Sequence, residues 1–100
     1  MIKYLIDTGT IAIYKLHMEH YNDHHSYDNT FMVSRSADNE TDQYDGKVCF
    51  AHKCFDSFAE AHNAIVSYFE YGVGERIEKI KKMEFDLNEA NKRLSKARQL

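Results

Sequence analysis

The first half of the chain shows the two-residue alternation of apolar and polar positions that is typical of half-buried strands. β-branched and aromatic residues concentrate in four segments, for which we predict strands: residues 2–6, 11–18, 30–34 and 47–55. Tight-turn chemistry is found between the first two segments, in residues 7–10, and before the fourth, in residues 45–46. We therefore expect a small, mostly antiparallel sheet of three to four strands.

From residue 57 onward the apolar positions recur every three or four residues, which is the period of an amphipathic helix. Ser57 and Glu60 fit a capping box, in which each side chain accepts a hydrogen bond from an otherwise unpaired amide at the helix start. The first apolar stripe is expected to lie on the sheet and consists of Phe58, Ala61, Ile65, Tyr68 and Phe69. A second series follows, with charged residues on the other faces: Ile77, Ile80, Met83, Leu87, Ala90, Leu94 and Ala97. The two halves together predict an α+β fold in which the sheet precedes a long amphipathic C-terminal helix.

Gly72 and Gly74 lie between the two apolar series, and the sequence is compatible with either a continuous helix or a break there. Each glycine costs a helix about 1 kcal/mol relative to alanine, and either could end it by adopting a positive φ. We favour one bent helix from about Ser57 to Arg98. The alternative is a helix-loop-helix in which residues 75–98 fold back and the protein remains monomeric.

A continuous helix of about 42 residues would be about 60 Å long, farther than a sheet of short strands can cover. Its distal half then needs a partner, for which a second copy of the chain is the first candidate. Over residues 83–97 the apolar spacing is that of a heptad seam. We predict a homodimer whose interface contains Ile77, Ile80, Met83, Leu87 and Leu94.

Length, composition and charge place the chain among single soluble domains. It has 100 residues, 43% of them hydrophobic, and a net charge of −3. Since it shows no bilayer-spanning run, no signal-peptide pattern and only two cysteines, we expect a cytoplasmic protein. Residues 1–74 form an acidic body of net charge −6 that includes the first helical segment, and residues 75–100 form a helical extension of net charge +3.

Histidines close to carboxylates raise the question of a metal site, because imidazole and carboxylate groups bind zinc. Four of the six histidines lie within nine residues: His17, His20, His24 and His25. However, two side chains three residues apart in a strand point to opposite faces, and no HExxH or paired CxxC motif accompanies them. We interpret these histidines as solvated loop residues and predict no metal and no other cofactor.

Catalytic chemistry finds little support in the remaining motifs. Cys49 and Cys54 would face opposite sides of a regular strand, so we predict buried free cysteines that pack as small hydrophobic groups. The acidic segment of residues 38–46 lacks the glycine and the bidentate glutamate of an EF-hand calcium loop. Phosphate-binding, dinucleotide-binding and nucleophile-elbow motifs are absent from the sequence, and we predict that the protein is not an enzyme.

Between Glu19 and Asp45 the chain carries seven acidic residues and one basic residue, Arg35, with tyrosines interspersed. Tyrosine beside carboxylates gives a surface that packs against a protein and forms charge-assisted contacts with lysine and arginine. We predict that this surface binds a basic protein. The predicted partner-binding residues are Glu19, Asp23, Tyr27, Asp28, Asp38, Glu40, Asp42, Tyr44 and Asp45.

The acidic strand region and the helical run from SFAEAHNAIVSYFEYG to RIEKIKKMEFDL resemble, in size, charge and layout, the small accessory proteins of bacterial viruses, including anti-CRISPR and other anti-defence inhibitors. The resemblance implies a dimeric α+β protein that blocks a nucleic-acid enzyme. We therefore expect a non-enzymatic inhibitor that covers a basic nucleic-acid-binding protein or nuclease and contacts neither nucleic acid nor membrane. The alternatives are a homo-oligomeric assembly module that acts through the helix, a dimer that sequesters a small molecule such as a nucleotide, and a basic tail that contacts nucleic acid.

Overall fold

The computed structural model describes residues 1–21 and 29–100 and has an α+β fold, which confirms the predicted fold class. Its strands are β1 (Ile2–Asp7), β2 (Ala12–Tyr21), β3 (Thr30–Val33), β4 (Val48–Phe50) and β5 (Cys54–Phe55), and one helix follows, α1 (Phe58–Arg98). The chain divides into two compact units, a sheet unit of Met1–Val66 and a helix unit of Ser67–Leu100. Among the described residues, no helix has the length and apolar character needed to cross a membrane.

All neighbouring strands of the sheet pair antiparallel, in the order β4-β3-β2-β1-β5. The long strand β2 lies at the centre, and its first half pairs with β1 while its last four residues pair with β3. The two edge strands are consecutive along the chain and are separated only by a 3₁₀ turn, Ala51–Lys53. Because three residues join the two edges, the sheet is curled.

The core lies on one face of this curled sheet. Alternate residues of the strands point to the same side, so that Leu5, opposite Tyr14 in the register, shares a face with Leu16. The core cluster consists of Leu5, Leu16, Met18, Phe31, Val33, Cys49 and Cys54. Leu16, Met18 and Val33 are fully buried, and each contributes about 1.5–3 kcal/mol through removal of its side chain from water.

The prediction of a single strand over residues 47–55 is wrong. The 3₁₀ turn divides this segment, so that β4 pairs with β3 at one edge and β5 pairs with β1 at the other. The turn also breaks the alternation of faces, and Cys49 and Cys54 therefore lie in the same core instead of facing opposite sides. Both cysteines are buried and free, as predicted.

The hairpin between β1 and β2 contains the predicted turn. The carboxylate of Asp7 accepts hydrogen bonds from the amides of Gly9, at 2.9 Å, and Thr10, at 3.1 Å. Ile11, which follows this turn, has a positive φ of 57°. A β-branched residue in this region is strained, because its Cβ approaches the following carbonyl.

Helix α1 begins with the Ser57 bond of the predicted capping box. The Ser57 hydroxyl accepts a hydrogen bond from the Glu60 amide at 3.2 Å. The helix then continues through Gly72 and Gly74, which confirms one helix over the helix-loop-helix alternative. Neither glycine has a positive φ, so nothing in the local backbone interrupts the hydrogen-bond ladder.

The prediction that the whole first apolar stripe lies on the sheet is wrong. Only Ala61 and Ile65 are buried. Phe58 is half exposed and meets the ring of Tyr4 edge-on, at 6.3 Å between ring centres. The last two members of the stripe, Tyr68 and Phe69, belong to the helix unit and are exposed. Burial in the sheet unit therefore extends over about two turns of α1, because short strands offer apolar surface for no more.

Candidate functional site

The helix unit contains no buried residue. Of residues 67–100, only Gly72 and Glu89 are even half-buried, and every other position is exposed. Large apolar side chains are nevertheless frequent in it, and Leu87 and Met83 are 61% and 69% exposed. Packing of an apolar face contributes most of the stability of helices in proteins, and within this unit such packing is missing.

The exposed apolar side chains of the helix unit are arranged in a seam. Alternating steps of four and three residues connect Phe69, Val73, Arg76, Ile80, Met83, Leu87, Ala90, Leu94 and Ala97. These nine residues are named the helical seam here. Eight of them are apolar, and Arg76 is the exception. The spacing is that of about four heptads, the pattern with which one helix packs along another.

Mostly polar and charged residues flank the helical seam. One flank carries Gly72, Lys79, Asp86 and Arg93, and the other carries Glu70, Ile77, Glu84, Asn91 and Arg98. The ion pairs within the helix, from Lys81 to Glu78 and from Lys92 to Glu89, lie away from the seam. Among the described residues, no ion pair includes Lys79 or Asp86.

The five residues predicted for a dimer interface are all exposed on α1. Four of them belong to the helical seam, and Ile77 lies on its flank. Sequence reasoning missed Phe69, which had been placed on the sheet, and Val73. Steps of seven residues back from Leu94 reach Leu87, Ile80 and Val73 in turn, and this signal would have extended the seam.

The acidic loop, residues 38–46, is fixed to the sheet unit by its own hydrogen bonds. The Asn39 side chain accepts the His17 amide at 2.8 Å and donates to the Ser34 carbonyl at 2.8 Å. Glu40 bonds Lys15 twice, since its carboxylate accepts the Lys15 amide at 3.0 Å and its amide donates to the Lys15 carbonyl at 3.2 Å. The loop thereby satisfies the backbone of the first half of β2, where β3 does not reach.

Tyr44 connects the acidic loop to the end of β1. Its hydroxyl donates a short hydrogen bond to the Asp7 carboxylate, and its ring meets that of Tyr14 at 5.7 Å between centres. This bond, followed by that from the Thr10 amide, lowers the pKa of Asp7 below its ordinary value. Burial, then the bond to Asp7, raises the pKa of Tyr44. The pair is therefore a structural contact between a carboxylate and a neutral phenol.

The predicted partner-binding residues fall into three groups. Glu19 on β2 and Asp38 and Asp42 in the acidic loop are exposed, and no ion pair between described residues involves them. A second group makes side-chain hydrogen bonds within the sheet unit and comprises Glu40, Tyr44 and Asp45. The third group lies outside the described residues and comprises Asp23, Tyr27 and Asp28.

Metal and nucleophile chemistry have little basis in the described part of the chain. It contains no group of three metal-ligating His, Cys, Asp or Glu side chains. The interpretation as loop residues is wrong for His17 and His20, which lie on β2 and point to opposite faces. His20 packs on Phe31 at 4.9 Å between ring centres. Burial raises the pKa of Cys54 to about 12 and also raises that of Cys49, which keeps both thiols protonated. His24 and His25 lie outside the described residues.

Two surfaces of the described chain offer chemistry to a partner. The helical seam presents apolar side chains with charged flanks, whereas the acidic loop presents a few exposed carboxylates on a hydrogen-bonded base. No family model, curated protein or solved structure matches the chain.

Proposed function

We propose that this chain is a non-enzymatic assembly module that forms a homodimer through the helical seam. One observation carries the proposal, namely the eight exposed apolar side chains that are aligned over about four heptads in a helix unit with no buried residue. Large contiguous apolar patches are rare on monomeric soluble proteins and mark sites of association. Burial of such side chains contributes about 25 cal/mol for each Å² of apolar surface removed from water.

A second copy of the chain suits the seam in length as well as in chemistry. Two copies present seams of equal length, and a two-fold axis repeats every favourable contact once. The neighbouring faces carry many Lys and Glu residues, the composition of a solvated outer surface. Pairing would also stabilise the helix, since isolated helices are marginal in water.

The test uses one seam residue and one matched control. Leu87 and Phe85 are 61% and 64% exposed, but only Leu87 belongs to the seam. Glutamine keeps a high helix propensity at both positions. Sedimentation velocity is expected to show a concentration-dependent dimer for the wild type and for Phe85→Gln, and a monomer for Leu87→Gln. A monomeric wild type at high micromolar concentration would refute the proposal.

A second candidate function is inhibition of a basic protein, such as a nuclease, by the acidic surface of the sheet unit in the cytoplasm of a host cell. The exposed carboxylates of Glu19, Asp38 and Asp42 favour it, because they remain open to lysine and arginine. The resemblance to small anti-defence proteins in size and charge supports the same function. It is compatible with a dimer, which would present the acidic surface twice.

Charge reversal tests this second function at residues whose side chains make no hydrogen bond or ion pair with other described residues. In a pull-down, Asp38→Lys/Asp42→Lys is expected to lose a salt-sensitive basic protein that the wild type captures. The variant Glu75→Lys/Glu78→Lys changes the charge by the same amount in the helix unit and is expected to retain the protein. Equal capture by both variants would exclude the acidic loop as the binding surface.

A further inference from the structure

We propose that two helical seams pair antiparallel, in the single register that places Ile80 against the partner's Met83. This inference rests on the proposed homodimer and adds its orientation. It starts from the charged residues in and beside the seam. Such residues set partner choice and orientation when helices pair.

Arg76 argues against a parallel dimer. In a parallel pair every seam residue meets its own copy, so that Arg76 would lie beside the partner's Arg76 in the apolar interface. Burial of two like charges together is unfavourable. At the other end of the seam, Arg93 would also lie opposite the partner's Arg98.

Reversal of one helix removes both conflicts. The seam alternates between two sets of residues. Those that come after a step of four are Val73, Ile80, Leu87 and Leu94, and those that come after a step of three are Arg76, Met83, Ala90 and Ala97. In an antiparallel pair, residues of one set lie against residues of the partner's other set. Arg76 then lies against the partner's Leu87, with its aliphatic part on the apolar surface and its guanidinium directed to solvent. Val73 lies against the partner's Ala90, so that a larger side chain meets a smaller one.

The flanking charges select the register. With Ile80 against the partner's Met83, Lys79 lies beside the partner's Asp86, and the two-fold axis repeats this attractive pair. The remaining flanking positions bring no like charges together: Gly72 with the partner's Arg93, Ile77 with the partner's Glu84, and Glu70 with the partner's Asn91.

Other antiparallel registers are worse. A shift of one heptad in one direction opposes Lys79 to the partner's Arg93 and Asp86 to the partner's Asp86. The same shift in the other direction opposes Lys79 to the partner's Lys79 and Glu70 to the partner's Glu84. A shift of two heptads leaves about 18 or about 12 residues of each seam paired, depending on its direction, against about 26 in the register with Ile80 against the partner's Met83. The register with Ile80 against the partner's Met83 therefore combines long overlap with complementary charge.

A charge swap in the full chain distinguishes this arrangement from a parallel dimer. Lys79→Glu is expected to weaken dimerisation about tenfold, because two attractive pairs become repulsive. Lys79→Glu/Asp86→Lys recreates the antiparallel pairs with the charges exchanged and is expected to recover the wild-type Kd within about threefold. The matched control Lys79→Glu/Glu84→Lys recreates the flanking pairs of a parallel dimer and is expected to remain weak.

Sedimentation equilibrium gives each Kd, and circular dichroism verifies equal helix content. Recovery by Lys79→Glu/Asp86→Lys alone supports the antiparallel register. Recovery by the control alone, by both or by neither variant overturns it while leaving the homodimer itself intact. A wild type that remains monomeric, or a Leu87→Gln variant that still dimerises, overturns instead the proposed function on which this inference rests.

Discussion

The two units of this protein bury their apolar residues to opposite extents. In the sheet unit, Leu16 and Met18 have no exposed surface, and loops and strands satisfy one another's backbone groups. In the helix unit, Leu87 and Leu94 are 61% and 48% exposed, although their spacing is that of an amphipathic helix. Regular patterning without burial in the second unit is therefore the basis of the proposed homodimer.

The largest expected difference between the two units appears when one leucine in each is truncated to alanine. Leu16→Ala should lower the free energy of unfolding by about 3 kcal/mol, because the strands around the cavity cannot close it. Leu87→Ala should change it by less than about 0.5 kcal/mol at concentrations where the chain is monomeric. Urea unfolding at two protein concentrations measures both. A large loss for Leu87→Ala in the monomer would mean that the helix unit packs within its own chain.

We expect the acidic loop to stabilise the sheet unit through the hydrogen bonds of Asn39. Asn39→Ala removes the acceptor of the His17 amide and the donor to the Ser34 carbonyl, both part-buried, and should cost about 2 kcal/mol. Asp38→Ala, one residue earlier and exposed, should stay within about 0.5 kcal/mol of the wild type. Urea unfolding measures both free energies of unfolding. Equal losses for Asn39→Ala and Asp38→Ala would contradict a specific role of the Asn39 hydrogen bonds.

The sequence predicted the parts of the fold that local patterns determine. The first three strands, the Ser57 cap and the long helix follow from alternation, capping chemistry and helical period. It did not predict the turn at Ala51–Lys53, because these residues carry no glycine or proline to mark a break. Nor did it predict the bond from His17 to Asn39, since residues 22 positions apart show no pattern that would announce it.

The candidate site residues also divide into those that a local pattern identifies and those that depend on long-range contacts. Ile80 and Leu87 were predicted as interface residues from their spacing alone, and both are exposed on α1. Glu40 and Tyr44 were identified as partner-binding residues from charge and composition, yet both make hydrogen bonds within the sheet unit. Composition does not distinguish a carboxylate that faces a partner from one that accepts a backbone amide, because that difference depends on long-range contacts.

The contrast between the two units can also be tested by measuring stability against pH, because the hydrogen bond between Asp7 and Tyr44 lies wholly in the sheet unit. The folded-state pKa of Asp7 lies below its ordinary value of 3.8, so the bond stabilises above about pH 4 and is lost as the pH falls. Tyr44→Phe should cost about 1 kcal/mol at pH 7, and its difference from the wild type should narrow below pH 4. A difference that is constant from pH 7 to pH 3 would contradict the role of the ionised carboxylate.

Glycine replacements give the smallest expected effects, and their sign differs between the units. Gly46 in the sheet unit has a φ of 72°, so Gly46→Ala should destabilise by about 1 kcal/mol. Gly72 and Gly74 are helical, and an added Cβ meets nothing within 4 Å, so alanine at either should stabilise α1 by about 0.5–1 kcal/mol. Helix content from circular dichroism in mild urea measures the gain. If Gly72→Ala lowered it, a break at that glycine would be favoured over the continuous helix, and a seam that runs unbroken from Phe69 to Ala97 could not pair along its full length.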